Sequence, residues 1–312
     1  MKVLVTGAAG FAGTWLVRAL LADGHTVVAA SQDGTSSAAL SGAGAEWTAM
    51  DVTSAESVEA ALERAGPQQV YHLAGQASVA GSFGDPLGTW DVNATGTLRL
   101  AQALPEAVRL LVVSSAEVYG VVPDDEQPIG EDRPLRPCNP YAASKAAAEM
   151  AALQARGPVV VARSFNHTGP GQDERFALAS FARQLAEIRQ GHCEPVLRVG
   201  NLSARRDLLD VRDVARAYVR LMDEGEAGQV YNVCSGHAVS MSDAVEQLIA
   251  LSGTGARLEV DPERVRPVDV PLLCGSGARL RALGWAPGIA FHDTLADLLG
   301  SHLQGLHTGT PP

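Results

Sequence analysis

The chain has 312 residues, room for one large α/β domain or for a core with a smaller attached lobe. With 46% hydrophobic and 19% charged residues it has the make-up of a soluble globular protein, and a formal net charge of -11 argues against general nucleic-acid binding, which needs a basic surface. Cys138, Cys193, Cys234 and Cys274 are widely spaced without a CxxC or metal-ligand pattern, which points to reduced thiols, a cytoplasmic location and no metal.

Met1-Lys2 leads straight into an apolar strand with no leader pattern, and no apolar run is long enough to cross a membrane. The strand Lys2-Val3-Leu4-Val5-Thr6 ends in Gly7-Ala8-Ala9-Gly10-Phe11-Ala12-Gly13, and Thr14 to Ala22 has helical periodicity. Strand, glycine turn and helix together suggest a dinucleotide site. Gly7 permits the tight turn, Gly10 lets the backbone approach a pyrophosphate, and Gly13 lets helix and strand pack closely. Phe11 and Ala12 complete the contact, and the phosphates sit on the positive end of the helix.

The GxxGxxG spacing resembles that of extended short-chain dehydrogenase/reductase proteins, which implies a Rossmann-type doubly wound parallel sheet. A second strand, Thr26 to Ala30, should end beside the adenosine ribose. Where NAD-selective members carry an acid this chain has Ser31, followed by Gln32, which favours NADP(H) and leaves NAD(H) possible; no arginine stands nearby to grip a 2′-phosphate. Asp33 could serve in a shifted register, and Asp33-Gly34 equally reads as a turn. Ser31 to Gly44 reads as loose.

Glu46 to Met50 reads as a third strand, and the resemblance places Asp51-Val52 against adenine. Thr53-Ser54-Ala55-Glu56 looks like a capping box opening a helix to about Ala65. Gln69 to Leu73 is a fourth strand. His72-Leu73-Ala74-Gly75 matches the family's strand-end motif, with Leu73, Ala74 and Gly75 under the cofactor and His72 structural. The helix predicted from Pro86 to Leu104 carries Asn93, which resembles the asparagine that braces the active site through the backbone.

Arg109 to Ser114 is a fifth strand, continuing into Ser115-Ala116-Glu117-Val118-Tyr119-Gly120. Ligands of open parallel sheets bind beyond the carboxyl ends of the strands, so reactive groups belong here. Ser115 occupies the place of the family's catalytic hydroxyl and could hold a substrate carbonyl. Asn139-Pro140 then opens a helix with Tyr141-Ala142-Ala143-Ser144-Lys145, a phenol and an amine one turn apart on one face. An ammonium close to a phenol lowers its pKa, which would make the pair an acid/base device. By the resemblance Lys145 also reaches the nicotinamide ribose.

Val159 to Arg163 is predicted to close the sheet. The stretch Arg163 to Gln172 is polar and glycine-rich, unlike a buried element, and Ser164-Phe165-Asn166-His167-Thr168-Gly169-Pro170 resembles the nucleotide-sugar branch containing GDP-mannose 4,6-dehydratase and GDP-6-deoxy-4-ketohexose reductase. That resemblance puts Asn166 near the substrate phosphates and His167 on the nicotinamide side. Glu174 to Gln190 reads as an amphipathic helix. Val199 to Asp207 again resembles the branch, with Arg206 a phosphate or ribose contact. A helix from Asp210 and a strand from Gln229 to Cys234 return to the core, so the lobes interleave: 1–164 plus 207–236 for the dinucleotide, 165–206 plus 237–312 for a smaller α/β substrate lobe. Ser240 to Asp243 is a second candidate cap. The stretch Arg264 to Pro271 resembles the same branch, which implies Arg266 at a diphosphate position, though Arg264 and Arg266 equally read as a solvated loop. His307 to Pro312 reads as a frayed tail.

Two reactions use these residues. A 4-ketoreductase would reduce a nucleotide-diphospho-4-keto-6-deoxy sugar, GDP-4-keto-6-deoxymannose by the resemblance, with Tyr141 as proton donor, Lys145 tuning it and Ser115 holding the carbonyl. A 4,6-dehydratase would need a base for the C5 proton, and Glu117 stands where dehydratases carry theirs, whereas Ala116 replaces the neighbouring acid of some. The compact length resembles the reductases more. A non-catalytic dinucleotide sensor is the reading from another class, disfavoured because Ser115, Tyr141 and Lys145 are all kept. In many relatives the helices matching those of Asn93 and Tyr141 form a homodimer contact.

Overall fold

Strands buried on both faces read as continuous apolar runs rather than alternating ones, and Val159-Val160-Val161-Ala162-Arg163-Ser164, buried at every position, is the clearest case. The computed structural model describes residues 1–264 and 270–308. In chain order the first half contains β1 (Lys2–Thr6), α1 (Phe11–Ala22), β2 (Thr26–Ser31), β3 (Glu46–Ala49), α2 (Ala55–Ala65) and β4 (Gln69–His72). There follow α3 (Val79–Gly84), α4 (Pro86–Trp90), α5 (Gly96–Ala103), β5 (Arg109–Ser115), α6 (Pro140–Ala152) and β6 (Val159–Ser164). The second half runs through β7 (Asn166–Thr168), α7 (Ala177–Arg189), β8 (Val196–Val199), β9 (Arg205–Asp210), α8 (Val211–Glu224) and β10 (Val230–Val233). It ends with β11 (Ala238–Ser240), α9 (Met241–Ser252), β12 (Arg257–Val260), β13 (Leu272–Leu273), α10 (Ala278–Ala282) and α11 (Phe291–Thr308).

Seven strands form one sheet in the order β10-β6-β5-β4-β1-β2-β3, every pair parallel. Helices α1 and α8 bury Leu16, Leu20, Val214 and Leu221 against one face, and α2, α5 and α6 bury Val58, Leu62, Leu100 and Ala152 against the other. The chain is therefore a doubly wound α/β fold. The strand order reverses between β1 and β4, and the crevice beyond the carboxyl ends at that point is where such folds bind ligands. A separate core of α7, α9 and α11, with Leu185, Leu248 and Leu298 buried, supports the small sheets, in which β9 pairs β7, β11 and β13 while β8 pairs β12.

Several local expectations shift. β6 does not close the sheet, because β10 adds outside it and pairs Val230 with Val161. The helix expected over 86–104 contains a π-turn, Asp91–Thr95, centred on Asn93, and α3 precedes it unpredicted. Ser54, not Thr53, caps α2: its hydroxyl accepts from Ser57 N–H, while Thr53 is held by Asp51 at 2.7 Å. α7 starts at Ala177 rather than Glu174, since Glu174 is drawn to Arg183 across the helix start. Ser240 caps α9, bonding Asp243 N–H at 3.0 Å as expected. Within the loose stretch, Ala38–Leu40 forms a short turn that buries Leu40. α11 reaches Thr308, and the rest of the expected tail lies outside the described residues.

The stretch 163–172 is far more buried than its polarity suggests, with Arg163, Ser164, Phe165, Thr168 and Gln172 all inside. Its polar groups are matched: Ser164 with the Tyr218 hydroxyl at 2.6 Å, Thr168 with Gln172 Oε1 at 2.6 Å, and Gln172 Nε2 with the His167 carbonyl at 3.0 Å. Paired polar groups can be buried without the penalty that unpaired ones carry.

Candidate active site

The residues singled out from sequence collect along the carboxyl edge of the sheet. Gly7 follows β1, Ser31 ends β2, Leu73-Ala74-Gly75 follows β4, Ser115 ends β5, and Asn166-His167 follows β6. The glycine turn has no space for side chains. A Cβ on Gly7, whose φ is +66°, would lie 2.7 Å from Ala74 N, and one on Gly13 would lie 2.2 Å from the Gly7 carbonyl. Gly10 is the N-cap of α1, which has no side-chain cap and no acid in its first turn, so no local carboxylate matches its leading amides. A dinucleotide diphosphate fits this helix start, which offers donors, positive dipole and bare backbone together.

At the adenosine end, Ser31 Oγ donates to the Thr35 carbonyl at 2.9 Å, and Asp33 accepts from Thr35 N–H at 3.0 Å and Thr35 Oγ1 at 2.7 Å. Asp33 thus makes the Asp33-Gly34 turn, with Gly34 at φ +79°. These Thr35 bonds hold its carboxyl below the ordinary value. Asp51 is held in the same way by Thr53, and Gln32 Nε2 lies 3.5 Å from it; Val52 is buried beside Asp51. Across the crevice, Phe11 stacks on His167, ring centroids 6.0 Å apart at 9°, and Ala12 follows it in the half-buried first turn. Burial pushes the His167 imidazole down, and its Nδ1 lies 3.1 Å from the Phe165 carbonyl.

Ser115 stands at the carboxyl end of β5. It caps the turn Ala116–Tyr119 by accepting from Glu117 N–H at 3.2 Å, and its hydroxyl stands close enough to the Tyr141 phenol to pull its pKa down. Tyr141 stands at the start of α6, which Pro140 opens and Asn139 caps by accepting from Ala142 N–H at 2.8 Å. The other end of Asn139 donates to Glu117 Oε2 at 3.2 Å, so the cap also fixes the carboxylate. Lys145, one turn on and 8% exposed, donates to the Val113 carbonyl at 2.9 Å.

Their acid/base balance differs from the expected one. Burial raises the half-buried Tyr141 to about 12, outweighing the lowering pull of the Ser115 hydroxyl, and Glu117 adds to the rise. Burial likewise lowers Lys145 to about 8, with Glu149 opposing. Desolvation is the largest influence on both groups, and the ammonium is tied to a backbone carbonyl.

A family profile described as GDP-mannose 4,6 dehydratase matches residues 4–298. The chain belongs to the GDP-mannose 4,6 dehydratase family. It is 44% identical over 241 residues to GDP-6-deoxy-D-mannose reductase of Pseudomonas aeruginosa, covering 75% of this chain and 79% of that protein. It is 34% identical over 308 residues to UDP-glucose 4-epimerase of Mycolicibacterium smegmatis, covering 95% and 96%. The structure of RMD from Pseudomonas aeruginosa complexed with NADPH superimposes with a TM-score of 0.84 at 37% identity over 97% of this chain and 99% of that one. These are NAD(P)-dependent enzymes of the extended short-chain type, the class to which the present chain is assigned.

In this family member several supporting residues were not foreseen. Asn93 is foreseen as a brace, but its partners are not: Oδ1 accepts from Gln76 N–H at 2.8 Å, and Nδ2 donates to the Gln76 carbonyl at 3.1 Å and to Ser144 Oγ at 2.9 Å. Ser82 Oγ accepts from Tyr141 N–H at 3.2 Å, pinning the helix start. One turn beyond Lys145, Glu149 forms a buried bidentate pair with Arg163 at 2.8 to 3.1 Å, and Ser114 also bonds it. Arg163 reaches on to the Tyr119 hydroxyl, which donates to Asn232 at 2.7 Å. An acid four residues after Lys145 on an alanine-rich face was a visible signal; its arginine partner, on β6, was not. Of the expected substrate contacts, Asn166 is exposed on β7, Arg206 lies half-buried on β9 with Nη1 on the Arg205 carbonyl, and Arg266 lies outside the described residues.

Proposed function

We propose that this chain is an NAD(P)H-dependent 4-ketoreductase of a nucleotide-diphospho-4-keto-6-deoxy sugar, with GDP-4-keto-6-deoxymannose as substrate and NADP(H) the favoured cofactor. The observation that carries the reading is the gathering of Ser115 at the end of β5 with Tyr141 and buried Lys145 at the start of α6, at the sheet's carboxyl edge, in a chain 44% identical to a GDP-6-deoxy-D-mannose reductase. The glycine turn, Ser31, Asp51-Val52 and Leu73 to Gly75 line the dinucleotide cradle; Asn166, Arg206 and Arg266 take the sugar nucleotide. Residues 1–164 with 207–236 hold the first ligand, and 165–206 with 237–312 the second.

Bound in that cradle, a reduced nicotinamide supplies the hydride that reaches C4. Because Glu117 N–H occupies a Ser115 lone pair, the Ser115 proton is free to turn toward an oxygen. Tyr141, kept protonated by burial, donates its proton to the C4 oxygen as charge develops. Lys145 carries the positive charge that stabilises the phenolate left behind.

Glu117 supports a second reading, GDP-mannose 4,6-dehydratase. Its half-buried carboxylate lies near enough to Tyr141 to raise the phenol, and Asn139 holds only one of its oxygens. Incubation with GDP-mannose alone, and with GDP-4-keto-6-deoxymannose plus NADPH, separates the two. The reductase reading expects cofactor oxidation only in the second mixture; formation of keto sugar from GDP-mannose alone overturns it. Cofactor binding with turnover of neither would mark a sensor.

The proposed assembly is a homodimer. Phe83, Leu87 (83% exposed), Trp90 and Met150 present large apolar side chains on α3, α4 and α6, which pack side by side. No described helix is long and apolar enough to cross a membrane, and the four free cysteines fit a reducing, cytoplasmic setting.

A further inference from the structure

His72 ends β4 and is 2% exposed, yet both ring nitrogens have partners. Thr6 Oγ1 lies 2.8 Å from Nδ1, and Thr97 Oγ1 lies 3.0 Å from Nε2. The other bonds of the two threonines decide the direction. Thr97 Oγ1 is 2.6 Å from the Asn93 carbonyl, an acceptor only, so Thr97 must donate there and accept from His72. Thr6 Oγ1 accepts from Ala74 N–H at 3.1 Å and has its proton left for Nδ1. With the opposite tautomer Thr6 would receive two donors and its own proton would have no acceptor. The chain therefore runs one way, from the Ala74 amide through Thr6, His72 and Thr97 to the Asn93 carbonyl.

That carbonyl belongs to the π-turn Asp91–Thr95, a single-turn widening of the kind found frequently at functional sites. The turn aims the Asn93 side chain at Gln76 and at Ser144, and Ser144 donates to the Tyr141 carbonyl at 2.7 Å. Gly75 lies under the same group: a Cβ there would be 2.9 Å from Asn93 Oδ1 and 3.3 Å from Lys145 Nζ. The geometry points to His72 as a positioning residue, which, as the Nε2–H tautomer, locks the Asn93 turn and through Ser144 sets where Tyr141 and Lys145 stand. Its catalytic consequence rests on the reading of Tyr141 and Lys145 given above; the tautomer and the lock do not.

The test uses the full chain with labelled histidine. Long-range nitrogen–proton NMR should show His72 as the Nε2–H tautomer, unchanged from about pH 6 to pH 9. An Nδ1–H ring, or one that titrates in that window, overturns the inference. Thr97→Val should raise the hydrogen-exchange rate of the Gln76 amide by about tenfold and lower kcat by up to about 10²-fold with KM within about twofold. Thr97→Ser should restore both. Exchange at Gln76 unaltered in a folded Thr97→Val protein contradicts the lock. Wild-type protein inactive on every sugar nucleotide would instead count against the reductase reading, with the tautomer and exchange results still deciding the role of His72. If Thr97→Val does not fold, the wild-type tautomer alone decides.

Discussion

On the proposed reading, Ser115 and Tyr141 act on one substrate oxygen, and each can be tested alone. Replacing Ser115 with Ala removes the donor beside the phenol and should lower kcat by about 10²-fold, with cofactor affinity unchanged by fluorescence titration. Tyr141→Phe should lower kcat by about 10² to 10⁴-fold with the same affinity, and retained turnover would take Tyr141 out of the mechanism. Lys145 has a signature of its own. Its proton is lost as pH rises through about 8, so kcat should fall on that limb. The stability effect has the opposite sign: folded Lys145 sits below its ordinary 10.5, so the unfolded chain binds the extra proton between about 8 and 10.5 and stability from this group rises with pH across that window. Below it, the buried charge is a cost. Lys145→Met should therefore be inactive yet more stable at neutral pH, by on the order of 1 kcal/mol in chemical denaturation.

At the scale of elements, α6 is held from both ends and from beneath. Asn139 and Ser82 fix its start, Ser144 ties it to the π-turn, and Glu149 anchors it to Arg163 on β6. Arg163→Met removes the guanidinium from the buried Glu149 carboxyl, leaving it only Ser114, and should cost about 3–5 kcal/mol, measured by denaturant midpoint at constant slope. The sequence made much of this readable. The glycine turn, the strand ends and the Tyr141 helix each carry local signals, because turn geometry, caps and apolar runs are decided by neighbours in the chain. The pairing of Glu149 with Arg163, the π-turn and the burial of 163–172 were not readable, since each depends on partners from distant strands. The pKa balance was misjudged for the same reason: spacing shows that Tyr141 and Lys145 share a face, not how much water they lose.

Across the whole molecule, a seven-stranded sheet brings the glycine turn, Ser115 and the helix of Tyr141 and Lys145 to one edge, and α8 and β10 carry the chain back to complete it. The exposed apolar strip on α3, α4 and α6 should make the protein dimeric at micromolar concentration, and Leu87→Glu with Trp90→Glu should yield folded monomer in sedimentation velocity; a monomeric wild type would contradict this assignment. The central claim is hydride delivery to C4 of a keto sugar. It is tested most directly by supplying NADPH deuterated at its transferable position together with GDP-4-keto-6-deoxymannose and locating the label in the product. Deuterium at C4 of a GDP-6-deoxyhexose, lost in Tyr141→Phe, is the expected result. Deuterium at any other carbon, or a product carrying none, would contradict it.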